Sequence, residues 1–257
     1  VEVMNSGDVE IEVQVSAVSA STASNGLIDY RTPNRHDTSL RIPFSSIATV
    51  REPVMRVPAG QTKEAVISVN MPAESFDGVI LGGLVFTKTP DSELAAAEGE
   101  ALGDDQAGTM ITNVYSYVLG AVLNETDVEV LPDFELVAVE AQLVDYSASA
   151  VHFIRNKEAA IAKDITVSLE VTKKGSTDVI HRYNRDGLEM APNSLMELNT
   201  GWDPGAFEAG DYTTNVHLEQ GGREWDFTMD FTVDQAHALQ LNEENLNLPV
   251  EADTTNW

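Results

Sequence analysis

Cysteine is absent from the 257 residues. No disulfide, cysteine-bound zinc or thiol nucleophile can therefore contribute. Basic residues are scarce: 15 Lys and Arg stand against 42 Asp and Glu, a net charge of -27. Phosphate backbones would be repelled, which excludes nucleic acid as a partner. No apolar run reaches the roughly 20 residues that a membrane helix needs. The G-x-S-x-G elbow, the H-E-x-x-H zinc helix and the G-x-x-x-x-G-K-[ST] phosphate loop are all missing. His36, His152, His181, His217 and His237 show no ligand spacing, so they read as packing or surface residues. Acid pairs such as Asp104-Asp105 lack the calcium-loop pattern and read as a solvated loop. With 42 acidic residues no pair of glycosidase carboxylates can be singled out. These absences describe a chain without an enzyme motif, and no cofactor is expected.

What is present is alternation of period two. In "VEIEVQVSAV" Val9, Ile11, Val13 and Val15 face one way and Glu10, Glu12 and Gln14 the other. "EAVISVN", "ITVSLEVT" and "EWDFTMDFTV" repeat the pattern, and "LRIPF" (40–44), "VYSYVLGAVL" (114–123) and "FELVAVE" (134–140) read as weaker strands. Asn5-Ser6-Gly7-Asp8, Lys174-Gly175, Pro192-Asn193 and Gly221-Gly222 are turn signals. Many short strands with polar turns and little helical pattern predict an all-β protein, two tandem immunoglobulin-like β-sandwich domains. The boundary falls at "ETDVEVLPDFEL", giving residues 1–131 and 132–235. Residues 236–257 carry no Lys or Arg and read as an acidic tail or linker, with one helical turn over "QAHALQL". Residues 89–109 read as a long acidic loop. The chain opens in mid-pattern, so the first domain is read as lacking its first strand.

Three features could carry function. Five of the seven basic residues of 1–131 (Arg31, Arg35, Arg41, Arg51 and Arg56) fall between 31 and 56, with Tyr30, His36 and Phe44 among them. Arg31, Arg35, Arg41, Tyr30 and His36 form a candidate surface for a polyanionic or carboxylate-bearing polymer. The plainer reading is that these arginines neutralise neighbouring acidic loops. The second feature is "SFDGVILGGLVF" (75–86). Asp77-Gly78 signals a turn, and Gly82-Gly83 mark a bulge or a close approach, either by a side chain of the facing layer or by a docking partner. The third is Tyr212, at the head of "YTTNVHLE" after Gly210-Asp211, which is a candidate tyrosine corner or a plain strand aromatic.

Taken together, "NSGDVEIEVQVSAVSASTASNGLIDY", "MPAESFDGVILGGLVF", "NVYSYVLGAVL", "LPDFELVAVEA", "NKEAAIAKDITVSLEVTKKGS", "MAPNS" and "AGDYTTNVHLEQGGREWDFTMDFTV" resemble the WxL-interacting proteins of Gram-positive bacteria. The resemblance spans residues 1 to about 240. It implies a peptidoglycan-binding domain followed by a host-binding domain in a non-catalytic adhesin or scaffold. The implied partners are peptidoglycan, WxL-domain surface proteins and a host extracellular matrix protein. The implied location is the outer face of the cell envelope, with membrane attachment only through an anchor that this chain does not contain. The alternative is an assembly module that accepts a partner strand or partner protein at a sandwich face, without binding glycan.

Overall fold

The computed structural model describes residues 1–31, 36–89 and 115–246. Arg35 and nearly all of the 89–109 loop lie outside the described residues. The first strands are β1 (Glu2–Met4), β2 (Ile11–Ser19), β3 (Ser21–Thr22) and β4 (Ile28–Asp29). A short helix α1 (Phe44–Ile47) precedes β5 (Ala48–Val50), β6 (Val54–Val57), β7 (Thr62–Glu64), β8 (Ile67–Val69), β9 (Ile80–Lys88) and β10 (Ser116–Leu123). Then follow β11 (Phe134–Val144), β12 (Ser147–Asn156), β13 (Ala162–Lys173), β14 (Val179–Met190), β15 (Ser194–Asn199), β16 (Gly210–Gln220), β17 (Arg223–Val233) and a helix α2 (Gln235–Glu244). The chain forms two compact units. One comprises Val1–Ala20, Tyr30–His36 and Arg41–Val128, and the other Ser21–Asp29, Asp37–Leu40 and Glu129 onward.

The first unit is built on a four-stranded sheet, β10-β9-β2-β6. The alternation of β2 places Val13 and Val15 inside, against Ile80, Leu84 and Phe86 of β9 and Met55 of β6. The pairs β1-β7 and β5-β8, with α1, bring Val3, Ile67, Ala48 and Phe44 to the same core. The sequence expectation of a strand at 40–44 fails. Pro43 takes an extended conformation and starts the helical turn Phe44–Ile47, which drives the Phe44 ring into the core.

The core of the second unit is a seven-stranded three-on-four sandwich, β11-β12-β15 facing β14-β13-β16-β17. This is the strand count and layering of an immunoglobulin-like domain. Leu136, Ile154, Met196 and Leu198 of the first sheet meet Val167, Leu169, Val216 and Leu218 of the second. Asp145-Tyr146 and Gly221-Gly222 turn the β11-β12 and β16-β17 hairpins, each pair at positive φ. The single helical turn expected near 236–242 is a full helix. Asp234 caps it through the His237 amide, 2.8 Å away, and Ala238 and Leu241 are buried in the core. The short hairpin β3-β4 also belongs to this unit.

Candidate functional site

The glycines of β9 are filled from within the chain. A Cβ at Gly82 would overlap the Phe44 ring, which α1 delivers from the core side. On the opposite face a Cβ at Gly83 would sit 2.7 Å from Cδ1 of Tyr30 and 3.1 Å from Val118 Cγ1. Gly83 pairs with Gly120 of β10, where a Cβ would stand 3.6 Å from the Tyr30 hydroxyl. Two glycines side by side on adjacent strands thus make a trough for the Tyr30 ring. The register of β9 with both neighbours is unbroken, so close approach, and not a bulge, explains the glycines. A partner docking on them would have to displace Phe44 or Tyr30.

Tyr30 is half-buried, and Arg31, His36 and Arg41 are exposed on the same unit. Arg56 reaches Glu12 on the neighbouring strand at 3.4 Å, which fits the neutralising reading for that residue.

A feature that pattern reading missed lies along β10. Tyr117 and Leu119 pair with the buried Phe86 and Leu84, so they share the core-facing side of the sheet. Yet they are 75% and 48% exposed. They border an apolar groove of about 700 Å³, whose other wall includes Val1, Val3 and Met4. β10 is an edge strand with no charge and no proline, the devices that ordinarily blunt an edge. The signal was present in the uncharged run "VYSYVLGAVL". Which side lies open is a property of the facing layer, which no strand pattern encodes.

In the second unit Tyr212 is fully buried, stacked on Phe231 at 5.2 Å and edge-on to Trp202 at 5.6 Å. Its hydroxyl donates to the Glu208 carbonyl at 2.6 Å, the bond that defines a tyrosine corner. Two buried histidines share one polar chain in the same unit. Asp203 N–H donates to His181 Nδ1, leaving Nε2–H of His181 to donate to Thr200 Oγ1. Thr200 donates to Ala150 O, which also accepts from Nδ1–H of His152, while Thr214 donates to His152 Nε2. With both rings neutral this chain of donors is consistent, and the Asp203 carboxylate also lies 3.1 Å from His181 Nδ1. Burial pushes the His152 pKa down to about 4 and that of His181 down as well.

The outer face of the four-stranded sheet is polar throughout. His217 donates to Asp226 at 2.8 Å, and Thr213–Asp230, Thr228–Asn215 and Thr232–Asp211 are bonded across β16 and β17. Ser168 neighbours His217 in register, but no hydrogen bond joins them, so the Ser, His and Asp of this row are not arranged as an activated nucleophile. A shallow groove of about 350 Å³ crosses this face beside Asn184, Ser168 and Asp226. Among the described residues no group of three His, Asp or Glu side chains is placed to hold a metal ion.

The sequence matches two family descriptions in series. Residues 1–88 match "WxL Interacting Protein, peptidoglycan binding domain", and residues 106–243 match "WxL Interacting Protein, host binding domain". The chain belongs to the WxL-interacting protein family, and both matched domains are named for binding. No curated protein matches. Solved structures that are similar include the Pseudomonas aeruginosa CupB2 chaperone, with 12% identity over 90% of each chain and a TM-score of 0.31. The E. coli chaperone DraB shows 15% identity over 91% of this chain and 86% of its own, with a TM-score of 0.33. The CsuC-CsuE chaperone and tip-adhesion subunit complex of Acinetobacter baumannii shows 11% identity over 88% of each chain, with a TM-score of 0.39.

Proposed function

We propose that this WxL-interacting protein is a non-catalytic adhesin or scaffold on the outer face of a Gram-positive cell envelope. Its first unit holds peptidoglycan, WxL-domain proteins or both, and its second presents a surface to a host matrix or protein ligand. The observation that carries this reading is the order of the two family matches, one binding domain after the other along the chain. Arg31, His36 and Arg41 are exposed on this unit and are residue types that can donate to wall carboxylates. Shallow surfaces of this kind bind through a few aromatic and arginine anchors. Retention of the intact protein on purified peptidoglycan tests the proposal. Arg31→Ala with Arg41→Ala is expected to weaken retention; unchanged retention removes the arginine surface, and no retention of the parent chain removes the glycan role.

Among the described residues β10 is an edge strand with Tyr117 and Leu119 exposed, which supports a second reading, in which the first unit accepts a strand of a partner protein. Leu119→Lys would block strand addition while leaving the arginine surface intact. Lost WxL-domain binding in Leu119→Lys, together with no glycan retention by the parent chain, would favour this reading over the first.

A further inference from the structure

The stretches "MAPNS" and "STASNGLIDY" lie far apart in the sequence, and the second unit brings them together. The 190–194 turn closes a ring of hydrogen bonds with Thr22. Ala191 N–H donates to Thr22 Oγ1 at 3.0 Å, the Thr22 hydroxyl donates to Ser194 Oγ at 2.6 Å, and Ser194 donates to Ala191 O at 2.8 Å. Each hydroxyl proton is used once. Asn156, fully buried, anchors the same turn through Nδ2 to Ala191 O at 3.1 Å.

Gly26 is seated one step further along. Its carbonyl accepts from Glu189 N–H at 2.7 Å, and its φ is +68°. A Cβ at this position would collide with Leu188, which is fully buried. Only glycine fits both the backbone conformation and the space. Asp37 adds a third anchor: Arg155 Nε bridges its two carboxylate oxygens at 2.9 and 3.1 Å, with the Asp37 side chain 4% exposed. A hydroxyl ring, a glycine seat and a buried ion pair make a built acceptor, not an incidental contact.

We propose that residues 21–29 and 37–40 are an intramolecular partner strap that completes the second unit. The region matched as the host-binding domain, 106–243, is thus an incomplete fold, and the acceptor on β14, β12 and the 190–194 turn exists to receive a segment that precedes its contacts by 118 to 172 residues. The inference concerns the fold of this unit and stands whether or not the unit binds a host ligand.

Hydrogen exchange on the full chain tests it through two reporter amides, Glu189 and Ala191, whose acceptors are both supplied by the strap. In the parent protein both are expected to be protected. Thr22→Val keeps the shape but removes the acceptor, and is expected to speed exchange at Ala191 at least tenfold. Asp37→Ala is expected to speed both amides, and Gly26→Val still more, while the β16-β17 ladder keeps its protection. If Gly26→Val unfolds the whole chain, the two milder variants decide. Unprotected reporter amides in the parent, or reporters unchanged in Thr22→Val and Asp37→Ala, would overturn the proposal.

Discussion

Phe44 and Gly82 occupy one space: the ring of the first fills the volume that any side chain at the second would need. Phe44 is 2% exposed, so it cannot swing into solvent without opening the core. Gly82→Val should therefore destabilise the first unit by about 3 kcal/mol, at the upper end of overpacking costs. Phe44→Ala alone should cost about 3–5 kcal/mol. Combining the two should cost clearly less than their sum, since the cavity left by one receives the other. Denaturant dependence of exchange at the β2-β9 ladder measures all three, and strict additivity would contradict the shared volume.

Tyr212→Phe removes only the hydroxyl that bonds Glu208 O. The ring stack with Phe231 and Trp202 is unchanged, so the expected loss is about 1–2 kcal/mol, the range for a buried hydrogen bond whose acceptor is left behind. Urea unfolding followed by the fluorescence of Trp202 and Trp225, both in the second unit, reads it directly.

Stability of the second unit should fall as pH drops from about 6.5 towards 4. His152 is fully buried and neutral, with its folded pKa at about 4 against 6.5 when unfolded. The unfolded chain binds the proton first, so the stability is fully present above the unfolded pKa and is lost as pH falls to the folded one. A shift of this size corresponds to about 3 kcal/mol. His181 is shifted the same way, chiefly by burial, although the nearby Asp203 opposes the shift. His217 is raised, first by its bond to Asp226; its contribution has the opposite sign, is lost as pH rises, and is small because the pair is exposed. Unfolding of the parent and of His152→Gln at pH 7, 5 and 4 checks this: the variant should be less stable at pH 7 and lose less on acidification.

Asp37→Ala should cost the second unit about 2–4 kcal/mol, because it removes the buried partner of Arg155, whose other ion pair among the described residues is with the half-exposed Glu135 at 3.2 Å. The Asp37 carboxyl is held below its ordinary pKa: burial alone would raise it, and the Ser39 and Arg155 bonds outweigh burial. Arg155→Ala with Asp37→Ala should be less damaging than the sum of the single changes. A double-mutant cycle by urea unfolding gives the coupling, and a value near zero would remove the ion pair as an anchor.

The period-two runs made the strands of the second unit legible, because a half-buried sheet repeats every two residues whatever it packs against. The tyrosine corner geometry and the Gly221-Gly222 hairpin follow from residues close in sequence. The helix Gln235–Glu244 is longer than its apolar signal suggests, because only Ala238 and Leu241 of its ten residues are buried. The expected strand at 40–44 became a helical turn, because the space opposite Gly82 drew Phe44 inward.

By itself the sequence determined an all-β chain of two sandwiches, strongly acidic, without thiol chemistry, and with the two binding-domain matches in order. Only the tertiary structure decided that Phe44 and Tyr30 fill the two faces of Gly82-Gly83, that Tyr117 and Leu119 of β10 are exposed, and that residues 21–29 and 37–40 pack in the second unit. The reason is range. Alternation and turn chemistry act between residues a few positions apart. A glycine trough, an uncovered edge and a docked segment are each defined by residues tens to more than a hundred positions away, whose meeting is set by the closing of the whole core.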